Sequence, residues 1–224
     1  VGCLAFHADS SKLVSGGHDG LVKCFGLRSG NVLREVNVQE TLSQGTETSA
    51  SVFITSLRFT PSQTHLLAGT NSGLLVLIAF ASFAVEGVFA SPSAASALTP
   101  PSVASLLPVG GSGQFVVGYG SSQCSLVELS PSAEEEGQGL DLEVQTQLQV
   151  PQRGGSQEDQ HILACALASP SHSLLYALTD RAAVFAFDLR SLSLVSRSQL
   201  EGADGGEGEE KASFDYFGTG GGGG

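Results

Sequence analysis

Three small groups of residues in this chain have the types that could do chemistry. Ser15, His18 and Asp19 are the letters of a hydrolytic triad, in which a hydroxyl attacks, an imidazole takes its proton and a carboxylate orients the imidazole. All three fall on one short hairpin, whereas a triad is assembled by geometry on a supporting scaffold, and Asp19 followed by Gly20 is better explained as the Asp-Gly pair of a tight turn. Cys3 and His7 could be two metal ligands, but no third or fourth follows at a spacing comparable to Cys-x-x-Cys. The glycine-rich stretches from Gly110 to Gly113 and from Gly118 to Gly120 lack the following helix and Lys that cradle a phosphate, so they read as turn and packing glycines. Glu134, Glu135 and Glu136 form a charge run of the kind that faces water. The expectation is no catalytic residue, no metal and no cofactor, with any binding residues left unassigned.

The elements around these residues are more informative. Four times an apolar strand-like segment ends in a turn rich in Ser, Thr, Pro and Gly, then resumes nineteen or twenty residues later in a strand ending in a large hydrophobe. The pairs are Phe6 with Phe25, Phe59 with Ile78, Leu107 with Val127 and Ala168 with Phe187. In the first unit, Leu4 and Phe6, then Leu13 and Ser15, then Val22, Cys24 and Phe25, then Val32, Leu33, Val36 and Val38 form four short apolar groups bounded by turn formers. Gly20 after Asp19, and Gly30 before Asn31, supply the positive φ of two hairpin turns. Each unit is therefore a four-stranded antiparallel meander. It is too small to bury both faces alone and must stack on copies of itself, as the blades of a β-propeller do.

The first unit, "VGCLAFHADSSKLVSGGHDGLVKCFGLRSGNVLREV", resembles a WD repeat. Leu13, Ser15, Gly16, Asp19, Gly20, Val22, Leu27, Ser29 and Gly30 match the family pattern, while Phe25 stands where the family has Trp and Gly26 where it has Asp. The fourth unit recovers Phe187, Asp188, Leu189, Arg190 and Ser191, with Asp180 before its third strand. The second keeps "FTPS" and "AGTNSG", and the third little beyond spacing. The chain contains no Trp, so Phe25, Ile78, Val127 and Phe187 would fill the volume of the family's anchor without donating its hydrogen bond. The resemblance implies an all-β fold, with about four blades of a propeller that in this family usually closes with seven. Four blades of seven leave two open flanks, with Leu4, Phe6, Val22 and Cys24 expected to be uncovered on one and Val184 and Phe187 on the other.

The expected blades are 1–38, 51–90, 102–149 and 161–200, followed by an acidic, glycine-rich tail over 201–224. Equivalent positions lie farther apart than the roughly 40–45 residues of a typical WD unit. The excess is assigned to insertions at Gln39 to Ser51, Ser91 to Ser102 and the acidic stretch Pro131 to Gln160. The segment Gly73 to Val85 is too short to span a bilayer and reads as two strands with a tight connection. In the tail, Phe214, Tyr216 and Phe217 read first as the opening strand of a further blade, and second as a segment docking on a sheet edge. A first residue, Val1, already inside a strand and the lack of any Met suggest a piece of a larger protein.

The net charge of −12 is concentrated in Pro131 to Gln160 and Glu201 to Asp215, which leaves the strands nearly neutral. Ten Lys and Arg scattered without a basic stripe disfavour direct nucleic-acid binding. Cys3, Cys24, Cys124 and Cys165 fall on expected strands in no paired motif, which fits buried free thiols in a reducing compartment and a cytoplasmic location, with cytoskeletal, ciliary and nuclear sites left open. The resemblance then implies a non-catalytic protein–protein interaction scaffold that helps assemble a multiprotein complex, its partners other proteins, without membrane insertion. The alternative is a propeller enzyme or ligand-binding protein with a central-channel site. The inner-strand positions Leu4, Phe59 and Leu106 are mostly apolar, which counts against it.

Overall fold

A computed structural model describes residues 1–43, 51–90, 101–111, 113–131, 140–151, 161–168, 173–199 and 214–216. Sixteen of its strands form four antiparallel meanders. Blade 1 contains β1 (Cys3–Phe6), β2 (Lys12–Gly16), β3 (Leu21–Gly26) and β4 (Val32–Asn37). Blade 2 contains β5 (Ile54–Phe59), β6 (His65–Thr70), β7 (Leu74–Ala79) and β8 (Ala84–Ala90). Blade 3 contains β9 (Val103–Val109), β10 (Gln114–Tyr119), β11 (Gln123–Pro131) and β12 (Leu140–Gln149). Blade 4 contains β13 (Ile162–Leu167), β14 (Leu174–Thr179), β15 (Ala183–Asp188) and β16 (Ser193–Gln199), with a further strand, β17 (Phe214–Tyr216), paired to β16. The first strands β1, β5, β9 and β13 pack in series, which makes them the inner row of a propeller arc.

The repeat expected from the sequence is a repeat of register. Phe6, Leu13 and Phe25 lie in one row across blade 1, and Phe59, Leu66 and Ile78 in the same row of blade 2. In blade 3 the row is Pro108, Phe115 and Val127, so the inner-strand member is Pro108, one residue beyond Leu107. In blade 4 it is Leu167, Leu175 and Phe187, one residue before Ala168. The pairing of the third and fourth strands shifts just before or at this row in every blade, at Cys24/Phe25, Leu77/Ile78, Leu126/Val127 and Ala186/Phe187. A bulge at the same place in each sheet increases its local twist, and twisted sheets stack around an axis.

Side chains alternate across a strand, so each inner blade offers one apolar face to its predecessor and the other to its successor. In blade 2, Leu66, Ala68, Val76 and Ile78 join the cluster shared with blade 1, while Leu67, Leu75 and Leu77 join the cluster shared with blade 3. This explains the unbroken apolar run from Leu74 to Ala79, since a strand covered on both faces has no polar side. A third cluster, with Val116, Cys124, Cys165, Leu175, Phe185 and Phe187, fills the seam between blades 3 and 4. Full burial of each such side chain contributes about 1.5–3 kcal/mol.

Two segments differ from the sequence expectation. Asn37 ends β4, and its Oδ1 accepts a hydrogen bond from the Glu40 amide (3.1 Å), capping a short helix α1 (Val38–Ser43) where a fourth-strand residue and then a polar insertion were expected. Val38 is fully buried beside blade 1, so the helix forms where its first residue can join the core. The other segment is β12, inside the stretch Pro131 to Gln160 read as an acidic insertion. Leu140, Leu142 and Val144 pack on the seam of blades 2 and 3 while Asp141 and Glu143 are exposed. The acids mask a strict alternation of period two, which is a strand signal in its own right. Glu134, Glu135 and Glu136, and most of the two remaining insertions and the tail, lie outside the described residues. Phe214 and Tyr216 belong to β17, added at the outer edge of blade 4, which is the docking alternative rather than the opening strand of a separate blade.

Candidate functional site

The hairpin that carries Ser15, His18 and Asp19 is held for structural reasons. Asp19 Oδ1 accepts from the Leu21 amide (3.2 Å) and Gly20 has φ +73°, so the pair makes the turn, while the His18 ring stacks on Phe53 at 5.2 Å between centroids. Ser15 is buried on the face of blade 1 opposite Val14. Cys3 and His7 go to different places. Cys3 Sγ lies near the carbonyls of Gly16 (3.9 Å) and Ile54 (3.8 Å), and burial pushes its thiol up to about 11. The His7 ring stacks on Phe80 (4.9 Å) and meets Phe59 edge-on (5.2 Å), with Nδ1 2.8 Å from Asp9 Oδ1. The Ser11 amide, which donates to Asp9 at 2.8 Å, holds that carboxyl below the usual carboxylate range. Among the described residues no three His, Cys, Asp or Glu side chains gather as a metal site would need.

Glycines in the expected Gly-rich stretches divide by role. Gly110 and Gly113 have φ of +60° and +81° in the turn between β9 and β10. Gly118 is a packing glycine, because a Cβ there would stand 2.7 Å from both Cys165 Sγ and Ser105 Oγ. Gly16 and Gly69 occupy the same register position, against Ile54 and Val103 of the following blade. The residue at this position in blade 4 is Leu178, paired with Val184, and no described strand packs there.

The ends of the second strands are held by turn contacts that differ between blades. In blade 2 Thr70 Oγ1 accepts from the Leu74 amide (3.0 Å), and Asn71 Oδ1 accepts from the Phe53 amide (2.8 Å). In blade 4 Thr179 Oγ1 donates to the Ala183 carbonyl (3.3 Å), and Asp180 Oδ1 accepts from the His161 amide (3.1 Å). At the family's Asp position, Asp188 accepts from the Arg190 amide (2.9 Å), which lowers its pKa; in blade 1, where Gly26 stands instead, the Asn31 amide donates to Ser29 Oγ at 3.3 Å.

Among the described residues two surfaces stand open. The first is a groove of about 170 Å³ along the inner row, where Cys3, Thr55, Arg58, Ser105 and Cys165 meet. Thr55 and Ala104 reach it because each is skipped in the pairing of its inner strand, at Ile54/Ser56 and opposite Gly118/Tyr119. Arg58 Nε donates to the Leu106 carbonyl at 3.1 Å, which ties blade 2 to blade 3. Of the apolar inner-strand residues named from the sequence, Leu4 and Leu106 border this groove, while Phe59 is buried between blades 1 and 2. The more polar lining was missed because a bulge shifts which side chain faces inward.

The second surface is the flank of blade 1 that faces away from blade 2. Register places Leu4, Ser15 and Lys23 in one row on it, and Phe6, Leu13 and Phe25 in the next, beside a cavity of about 380 Å³. Leu4 and Phe6 are 49% and 64% exposed. Val22 and Cys24, expected on this flank, instead face blade 2 and are buried. On the outer flank of blade 4, Leu163 and Tyr176 are exposed, and Val184, expected to be uncovered there, is half-buried. Phe187, also expected there, faces blade 3 and is buried. Each anchor looks back at the preceding blade: Ile78 at blade 1, Val127 at blade 2, Phe187 at blade 3, and Phe25 at the open flank.

Four-stranded meanders stacked face to face around an inner row define a β-propeller arc. The profile of the WD domain, G-beta repeat, matches residues 1–25, which span β1, β2 and most of β3 in blade 1. Among solved structures the chain is similar to "Structure of U3-55K" (TM-score 0.61, 16% identity, covering 87% of this chain and 50% of that one). It is similar to the same degree to "Crystal structure of RRP9 WD40 repeats" (TM-score 0.60, 16% identity, 87% and 49%). At that identity the likeness shows the fold, and the chain spans about half the length of these structures. No curated protein matches the sequence. No described helix is long and apolar enough to cross a membrane.

Proposed function

We propose that this chain is a non-catalytic protein–protein interaction scaffold, a WD-repeat propeller element that contributes to the assembly of a multiprotein complex in a reducing, cytoplasmic or nuclear, compartment. The observation that carries the reading is the flank of blade 1, where Leu4, Phe6, Leu13 and Phe25 are the same rows that blades 2 to 4 bury against a neighbour. A contiguous apolar face of this kind fits a covering polypeptide surface, whether a further blade or a partner chain. The directly paired Lys23 and Glu35, 3.5 Å apart, add a charged patch that suits recognition more than affinity. The four free thiols support the compartment.

A photo-crosslinking phenylalanine analogue at Phe6, in the protein as expressed in cells, tests the reading. Protein crosslinks that Leu4→Asp abolishes while the Cys24 thiol stays protected support it. A folded protein that forms no protein crosslink from position 6 overturns it.

A further inference from the structure

The seams between blades repeat one pair of positions, and at the third seam both members are cysteine. Register equates Val22 and Leu57 between blades 1 and 2 with Leu75 and Leu106 between blades 2 and 3, and with Cys124 and Cys165 between blades 3 and 4. The first two pairs are buried aliphatic residues of the seam clusters. The third brings Cys124 Sγ within 3.7 Å of Cys165 Sγ, from residues 41 apart in sequence. Gly118, paired with Cys124, leaves room for the second sulfur, since a Cβ on it would stand 2.7 Å from Cys165 Sγ. Cys165 also borders the inner groove, whereas Cys124 is fully buried.

We propose that Cys124 and Cys165 are a peroxide-responsive pair that closes into a disulfide between blades 3 and 4. The two sulfurs must close from 3.7 Å to about 2.05 Å to bond. Cys165 is the attacking sulfur: the hydrogen bond with Cys124 holds its thiol below the usual range, and the groove admits a small oxidant. Cys124, raised well above the usual thiol value by the same hydrogen bond and by burial, stays protonated. The Cys165 thiolate attacks one oxygen of hydrogen peroxide, the O–O bond breaks, and the leaving hydroxide takes a proton to become water, which leaves Cys165 as a sulfenic acid. Cys124 Sγ then attacks the sulfenic sulfur, the S–O bond breaks, and the hydroxyl leaves with the Cys124 proton as a second water. Two thiols thereby give two electrons and two protons to one peroxide. A cytosolic dithiol such as reduced thioredoxin returns both. The bond staples the third strand of blade 3 to the first strand of blade 4 and fixes the seam beneath the groove.

The test exposes the chain to hydrogen peroxide, alkylates it after denaturation, and maps peptides by mass spectrometry without reductant. The expected result is one crosslinked peptide joining Cys124 to Cys165, with Cys3 and Cys24 alkylated, and a melting temperature raised by roughly 5–10 °C that dithiothreitol restores. In Cys124→Ser, dimedone should trap Cys165 as its sulfenic adduct. Cys124→Val combined with Cys165→Leu installs the pair of the first seam; it should melt close to the reduced parent and show no peroxide-dependent rise. Full alkylation of all four cysteines after peroxide overturns the proposal, as does Cys165 passing to sulfinic acid in the parent without a crosslink.

Discussion

A Cβ placed on Gly69 would lie 2.5 Å from Val103 Cγ1, the first residue of the next blade's inner strand. Gly16 and Gly118 stand in the same register position with the same lack of space, so the glycine repeated through "SGG", "AGT" and "VGY" sets how closely one blade follows another.

Gly69→Ala should therefore destabilise the protein by about 1–3 kcal/mol, because a strand of the next blade must retreat to admit one methyl. Gly111→Ala, where a Cβ would meet nothing within 4 Å, should change stability by no more than about 0.5 kcal/mol. Urea titration of both variants checks the contrast, and equal effects would remove the packing explanation.

Thr70→Val keeps the shape of a fully buried side chain but deletes the hydroxyl that accepts from the Leu74 amide and donates to the Leu74 carbonyl (3.2 Å). Leaving that amide without its partner should cost about 1–3 kcal/mol. The amide of Leu74 should also lose hydrogen-exchange protection more than its neighbours in β7. Unchanged protection there would show that the turn does not depend on the hydroxyl.

Cys3 titrates in the folded chain near 11, above the thiol value of 9.0. Its folded form therefore holds a proton longer than the unfolded form, so this contribution to stability is complete below pH 9 and is lost as pH rises through about 11. Iodoacetamide should modify Cys3 slowly at pH 8 compared with a denatured control. A Cys3→Ala variant should show a shallower stability loss between pH 9 and 11, and identical slopes would contradict the shift.

Much of the arc was legible in the chain because its cause is local. The spacing from Phe6 to Phe25 and from Phe59 to Ile78 reports register directly, since hairpin turns of fixed length transmit it from strand to strand. The same spacing was misjudged by one residue at Pro108 and Leu167, where neighbouring apolar residues give two candidates for one row. Facing was harder to read. Val22 and Cys24 looked like flank residues until pairing with Gly16 and Val14 placed them toward blade 2, because alternation identifies two faces without saying which neighbour each meets. The polar lining of the groove and the cysteine pair were not legible. Thr55 reaches the axis through a bulge, and Cys124 meets Cys165 only after two blades stack.

The central claim is that the flank of blade 1 is a binding surface built like the buried seams. Sedimentation velocity over a range of chain concentrations tests it most directly, with Leu4→Asp plus Phe6→Asp as the comparison. The account predicts concentration-dependent association of the parent, weakened at least tenfold in the double variant, because charge at these positions removes about 3–5 kcal/mol of apolar contact. A parent that sediments as a compact monomer at every concentration and melts in one cooperative transition would contradict it. That result would mean that the four blades cover their own flanks.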